Sequence, residues 1–255
     1  MAERIVTRLF IETALSSGAT VSLSPDHAHF LRSVLRSGPG AKLALFNGVD
    51  GEWLAEISAL GKKHGEATLL EQRREQTEPG DLSLIFAPVK KAPLDFLIQK
   101  AVELGVTGLH PVTTERTQTD RLNTDRLRTN AIEAAKQCER LDVPRVHPLE
   151  KLDAILAGWP EENPLLVCAE AGEAKPIAKA LSALNPARSG RVSGGLMTGP
   201  EGGFSPQELV ILRERPFVTL VGLGPRILRA ETAAIAALTL WQAIVGDMGQ
   251  RPPFR

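Results

Sequence analysis

The sequence predicts a two-part chain, a small β domain carrying one helix followed by a larger α/β domain built on a mostly parallel sheet. Two changes of texture carry that prediction. Up to about residue 70, apolar residues come in short runs separated by tight-turn dipeptides. From residue 82 onward, continuous apolar runs alternate with helical stretches, the pattern of strands whose crossovers cover both sheet faces. A third observation separates them: EQRREQTEPGD, residues 71–81, is polar throughout and ends in Pro-Gly, which marks a linker. Domains are therefore expected at 1–73 and 80–255, a division that a 255-residue chain accommodates easily.

In the first domain Ser24 is placed to cap a helix, with Pro25 at its first position. The spacing continues that helix through His29–Arg36 to a stop at GPG, 38–40. Lys42–Phe46 is a strand, and Asn47-Gly48 is a turn signal. Glu52–Ile57 is a strand with Trp53, Ala55 and Ile57 on one face. GKKHG, 61–65, is a turn, and Glu66–Leu70 is a further strand.

In the second domain the expected strands are Leu82–Ala87, Thr107–Val112, Leu165–Ala169, Gly195–Thr198 and Phe217–Leu223. The expected helices are Leu94–Leu104, closed by Gly105, then Asp125–Cys138, Pro176–Leu184, Pro206–Arg213 and Arg229–Val245. The last helix is apolar nearly all round, so it is expected to be buried, with a subunit interface as a second layer.

Composition removes several classes of function. Lys+Arg and Asp+Glu both number 30, so there is no basic field of the kind that coats nucleic acid nonspecifically; a local basic patch stays possible. Tyr is absent and aromatics are 4%, which argues against recognition by a sheet of stacking rings. The two cysteines, Cys138 and Cys168, form no CxxC pair, and the histidines lack metal-ligand spacing, so no metal is expected. MAERIVTRLF has charges where a signal peptide needs an apolar run. The longest apolar stretch, Ala233–Val245, is interrupted by Gln242 and too short to span a bilayer, so no membrane role is expected. The expectation is a cytoplasmic protein of a reducing compartment.

Chemistry concentrates in two places. MTGPEGGFSPQE, 197–208, reads as a strand, a glycine-rich turn and a helix start, with Ser205 and Glu208 spaced as a capping box. Glycine lets backbone approach a ligand, though a tight turn alone also explains it. Neither GxGxxG nor GK[ST] is present, which excludes the familiar dinucleotide and triphosphate loops. LVGLGPRILRAETAA, 220–234, is a second strand ending in a Gly/Pro turn, followed by Arg226, Arg229 and a helix. Two such turns at neighbouring strand ends would frame one ligand crevice. Positive charge at a helix start opposes the macrodipole, so these arginines suit a phosphate or a ligand carboxylate better than a solvated surface.

GPEGGFSPQE, 199–208, together with LGPRILRAETA, 223–233, resembles the RsmE family of 16S ribosomal RNA uridine-N3 methyltransferases. FLRSVLRSGPG (30–40), IQKAVELGV (98–106), TERT (114–117) and AAKQCERLDVP (134–144) resemble the family's intervening segments in the same order. One departure is Glu139, where the family's Gln-x-Gly-Arg segment has a small residue. The resemblance implies a PUA-like β-barrel in front of a SPOUT-type α/β domain with a trefoil knot, a homodimer, S-adenosylmethionine as cofactor, and 16S rRNA within the small ribosomal subunit as partner. Under it, the turns Thr198–Gly203 and Leu220–Leu228 are expected to hold the cofactor, through Thr198, Gly199, Gly202, Leu220, Gly222, Leu223, Gly224 and Leu228. Arg229, with Arg226 as alternative, is the candidate cation, and Glu201 the candidate proton acceptor or arginine-orienting group; Glu201 could instead cap its own loop. Candidate RNA contacts are Arg8, Arg32, Arg36, Arg116, Arg140 and Arg226, with Arg32 and Arg36 four apart on one helical face; a solvated charged face is the alternative. Cys138 fits a small core residue better than a nucleophile attacking uracil C6, and Phe204 fits core better than a stacking platform. Two other functions stay open on residues alone, a noncatalytic RNA-binding module and an unrelated nucleotide-binding oxidoreductase or transferase.

Overall fold

Apolar side chains alternating along five strands build the first core. The computed structural model describes residues 4–119, 121–169, 174–184 and 192–251; Met1–Glu3 of the opening segment fall outside that range. The chain divides into two compact units, Met1–Glu78 with Ala135–Val143, and Pro79–Ala134 with Pro144–Arg255.

The first unit holds β1 (Ile5–Phe10), β2 (Thr20–Leu23), α1 (Pro25–His29), β3 (Lys42–Phe46), β4 (Glu52–Leu60) and β5 (Gly65–Arg74). Its sheet runs β1-β3-β4-β5-β2, with β1 parallel to β3 and the other pairs antiparallel. Leu43 and Leu45 alternate on β3, Ala55 and Ile57 on β4, and with Leu9, Leu31 and Leu69 they close the core. Trp53 packs against it from a half-buried position. The β3–β4 turn is held by Asn47 Oδ1, which accepts the backbone N–H of Val49 (3.0 Å) and Asp50 (2.8 Å). Ser24 caps α1 by accepting His27 N–H, with Pro25 at the first position.

The expected helix to Arg36 is corrected. The α-helix stops at His29, and Phe30–Val34 forms a π-helical turn. Leu35 N–H reaches back to Phe30 O, Ser37 N–H closes on Leu31 O, and Arg36 turns left-handed at φ 53. Arg32 and Arg36 are both exposed, but they do not share a helical face. The linker also shortens, because β5 continues through Arg74 and residues 71–74 are strand.

Residues 135–143 join the first unit through arginines. Arg8 on β1 is ion-paired to Glu52 on β4 and donates to the carbonyls of Ala135 (3.0 Å) and Arg140 (2.6 Å). Its guanidinium lies 4.0 Å from the Phe46 ring centroid. Arg74 donates to the Glu139 carbonyl at 2.8 Å. Glu139 itself sits at φ 61, a left-handed conformation that costs a side-chain-bearing residue energy.

The second unit contains β6 (Leu82–Phe86), α2 (Lys91–Glu103), β7 (Gly108–Thr113), β8 (Arg145–Val146), β9 (Glu150–Lys151), α4 (Leu152–Gly158), β10 (Leu165–Cys168), β11 (Lys175–Pro176), α5 (Ile177–Ser182), β12 (Gly194–Thr198), α6 (Pro206–Arg213), β13 (Val218–Gly222) and α7 (Ala230–Ile244). The remaining helix, α3 (Thr124–Gln137), begins in this unit and ends in the first. Strand order is β11-β13-β10-β12-β6-β7-β8 with β9 beside β7, and every described pairing is parallel. Both faces are covered. An added Cβ at Gly194 would strike Trp241 of α7 at 2.7 Å, and one at Gly195 would strike Trp159 beyond α4 at 2.6 Å. Successive strand residues point to opposite faces, so α7 and α4 flank the sheet. Gln242, which interrupts the apolar run of α7, is buried and donates to Leu104 O at 2.7 Å, capping the end of α2. His110 of β7 stacks on His147 at 3.8 Å, and burial holds its pKa down at about 4, with His147 and Arg145 adding to the effect. The short elements β8, β9 and α4 were not expected.

Candidate active site

The parallel strands β12, β10 and β13 are neighbours, so their carboxyl ends open on one place. After β12 the chain turns through Gly199-Pro200-Glu201-Gly202-Gly203, with Gly203 N–H closing on Pro200 O. Ser205 then starts α6 with a complete capping box. Its Oγ accepts Glu208 N–H, and Glu208 Oε2 accepts Ser205 N–H at 2.8 Å. The other carboxylate oxygen of Glu208 accepts Glu115 N–H at 2.7 Å, tying in the loop after β7. In that loop Thr117 Oγ1 accepts Thr114 N–H, and Arg116 Nη1 donates to Gly202 O at 2.7 Å. After β13, residues 223–229 lead into α7, where Arg229 is the N-cap residue with extended backbone and no side-chain cap bond.

These segments enclose a cavity of about 740 Å³, within the range of small-molecule sites. Thr198, Gly199, Gly202, Gly222, Leu223, Gly224 and Leu228 all line it, as do Glu201, Arg226, Arg229 and Arg116. Leu220 does not. Strand alternation turns it into the core beside α6, and Val221 takes the wall position. Cys168 and Ala169 at the end of β10, and Ala174 just before β11, also line the cavity. No motif marks them, and only the strand order brings them in.

The two glycine positions differ. A Cβ at Gly199 would meet the Phe204 ring at 3.0 Å, so this glycine admits a buried aromatic. A Cβ at Gly222 would meet only Ala174 Cβ at 3.9 Å, so its missing side chain leaves open cavity. Phe204 is core, as expected. Burial pushes the Cys168 thiol up to about 12, which keeps it protonated and unreactive. Cys138 is half-buried and lies outside the cavity.

The basic residues sort by what they already hold. Arg226 and Arg229 are exposed, and their side chains carry no hydrogen bond or ion pair among the described residues. Arg8, with a side chain 11% exposed, is committed to Glu52 and two carbonyls. Arg140 is committed to Asp142 at 2.5 Å, with 13% of its side chain exposed. Both side chains are thus already engaged within the first unit. No His/Cys/Asp/Glu cluster that could hold a metal occurs among the described residues. No helix among them is long and apolar enough to cross a membrane.

The RNA methyltransferase domain family matches residues 76–242, and the RNA methyltransferase PUA domain matches residues 23–70. Ribosomal RNA small subunit methyltransferase E of Rickettsia conorii is 35% identical over 91% of this chain and 93% of its own length. A crystal structure of the Neisseria gonorrhoeae ribosomal RNA small subunit methyltransferase E, bound to S-adenosyl methionine, is 32% identical. It covers 95% of this chain and 99% of that one, with TM-score 0.81. A Legionella pneumophila methyltransferase in complex with SAM is 29% identical over 94% and 98% of the two chains, also with TM-score 0.81. The chain belongs to the RNA methyltransferase family, among the ribosomal RNA small subunit methyltransferases E.

Proposed function

We propose that this protein transfers a methyl group from S-adenosylmethionine to N3 of a specific uridine in 16S ribosomal RNA of the small ribosomal subunit. The observation that carries the proposal is the open, glycine-walled cavity at the ends of β12, β10 and β13. The space beside Gly222 suits a close approach of a flat ligand to backbone. Thr198, Gly199, Gly202, Gly222, Leu223, Gly224 and Leu228 would hold the cofactor there. In this reading 1–73 is the RNA-binding domain, 80–255 is the SPOUT domain with its C-terminal knot, and the enzyme works in the cytoplasm as a homodimer. The half-buried apolar residues Ile235, Ala236, Leu240 and Ile244 of α7 support a partner surface. Light scattering should give about twice 27.5 kDa; a fully active monomer would contradict the dimer.

When bound, the cofactor supplies a sulfonium methyl that is already electrophilic. The protein's task lies with the base, because uracil N3 carries a proton and is a poor nucleophile until the proton leaves. The pocket must orient the base for in-line attack and favour its anion. Glu201, exposed at the cavity, is proposed as proton acceptor or as the group orienting an arginine. Arg229 is proposed as the cation for charge on the ring oxygens, with Arg226 as alternative. Arg32 and Arg36 are proposed as phosphate contacts of the first unit.

The test is an assay for N3-methyluridine in 16S rRNA with S-adenosylmethionine binding measured in parallel. Arg229→Ala and Glu201→Gln should each lower turnover about a hundredfold, about 2.7 kcal/mol of barrier, with the cofactor still bound. Near-normal turnover in both would overturn the assignment of these side chains. Absence of the modified base with the wild-type chain would overturn the function.

A further inference from the structure

Arg116 is placed differently from the other arginines at the cavity. Arg226 and Arg229 sit on the 223–229 segment, and their side chains have no partners among the described residues. Arg116 comes from the loop after β7, and its Nη1 is fixed to Gly202 O at 2.7 Å. Its side chain lies flat on the same residue, since a Cβ at Gly202 would meet Arg116 Cδ at 3.4 Å. The loop is itself anchored. Glu208, buried at 7% exposure, accepts Glu115 N–H with one oxygen and Ser205 N–H with the other. Thr114 and Thr117 bond each other at 2.8 Å. The guanidinium is thus held by one backbone carbonyl, on an anchored loop, while its remaining donors, unpartnered among the described residues, stay exposed at the cavity.

That arrangement suits charge stabilisation better than phosphate docking. A donor fixed before the reaction needs no reorganisation as charge develops, which is where electrostatic catalysis is most effective. A phosphate contact needs only a flexible cation on an open surface. We propose that Arg116 is a catalytic residue: its free N–H groups bind a carbonyl oxygen of the target uracil and stabilise the anion left when the N3 proton departs. Glu208 is the positioning residue that holds its loop. The proton passes to the acceptor, the N3 lone pair forms the new N–CH3 bond, and the S–CH3 bond breaks to leave a neutral thioether. The proposal rests on the methyltransferase reading above and adds a second, preorganised cation to Arg229.

The experiment uses the full chain with small ribosomal subunits carrying unmethylated 16S rRNA, under single-turnover conditions with enzyme and RNA saturating. Wild type comes first: a chain that binds no S-adenosylmethionine or forms no N3-methyluridine removes the underlying reading. With wild type active, Arg116→Gln should lower the rate about a hundredfold. Cofactor affinity and the salt dependence of RNA binding should stay unchanged. The rate deficit should shrink as pH rises, because solvent then removes the N3 proton and less help is needed. Arg116→Lys, which keeps the charge but not the fork, should fall between the two. Three results would overturn the proposal. One is an unchanged rate at saturating RNA. Another is a loss confined to RNA affinity, with the salt slope flattened by about one unit, which identifies a phosphate contact. The last is a pH-independent rate loss together with lost cofactor binding, which identifies a purely structural loop.

Discussion

The arginines of the first unit and those of the cavity make opposite use of the same side chain. Arg8 and Arg74 surround the buried carboxylate of Glu52 and direct their donors at the carbonyls of residues 135–140. Their side chains are 11% and 15% exposed. Arg226 and Arg229 stand exposed at the cavity, whose lining among the described residues includes one acid, Glu201. One set satisfies backbone that would otherwise be unpaired, and the other leaves its hydrogen-bonding capacity for a ligand. An arginine's role here is therefore read from what its donors already hold, not from its position in the chain.

The largest expected effect tests the structural side of that contrast. Glu52→Ala leaves two largely buried guanidinium groups without their carboxylate and should cost about 3 kcal/mol of stability, measured by denaturant unfolding. Glu201→Gln, at the exposed cavity rim, should stay within about 0.5 kcal/mol of wild type. Equal costs would erase the distinction between the two regions.

A second effect concerns the second unit away from the cavity. His110 is held neutral by burial, by His147 and by Arg145, with a pKa of about 4 against an ordinary 6.5. Between those values the unfolded chain binds a proton that the folded chain refuses, so stability must fall as pH drops from 6.5 towards 4. Solvent contact reduces the full linkage, leaving about 2 kcal/mol. His110→Gln should flatten that segment of the stability–pH curve; an unchanged slope would contradict it.

A third test returns to the first unit. Replacing Arg32 and Arg36 together by Gln should flatten the salt dependence of RNA binding by about one unit of slope per lost phosphate contact and leave stability alone. Arg8→Gln should do the reverse, lowering stability first. The smallest effect is at Glu139. Glycine there relieves about 1–2 kcal/mol of left-handed strain but gives back about 0.5–1 kcal/mol through the freer unfolded chain. Glu139→Gly should therefore stabilise the protein slightly, by about 0.5 kcal/mol.

Much of this is legible in the sequence. The capping box of Ser205 and Glu208, the turn at Gly199–Gly203 and the strand ahead of it are local features, and they stand where spacing places them. Their convergence with the 223–229 segment needed only the rule that parallel strands end together. What stayed hidden depended on long-range pairing. The two-residue strands β8 and β9 have no periodicity to read. Leu220 and Val221 differ only by which face of β13 they occupy, and a one-residue uncertainty at a strand end reverses that assignment. The π-helical turn at Phe30–Val34 ends the helix before Arg36, whose left-handed backbone takes it off the face of Arg32. The pairing of Arg8 with Glu52 spans β1 and β4 and has no local signal, whereas Asp142, the partner of Arg140, lies only two residues on.

The measurement that bears most directly on the cavity as a cofactor site is calorimetry of S-adenosylmethionine binding to Gly222→Val. The new side chain enters open space, where the nearest obstacle to its first carbon is Ala174 Cβ at 3.9 Å, so the fold should survive. Gly199→Val is a poorer test because its Cβ presses on Phe204 at 3.0 Å. Wild type should bind one cofactor per chain, and Gly222→Val should unfold at the wild-type midpoint yet show no binding heat. Wild-type affinity in a folded Gly222→Val protein would contradict the placement of the cofactor against this turn.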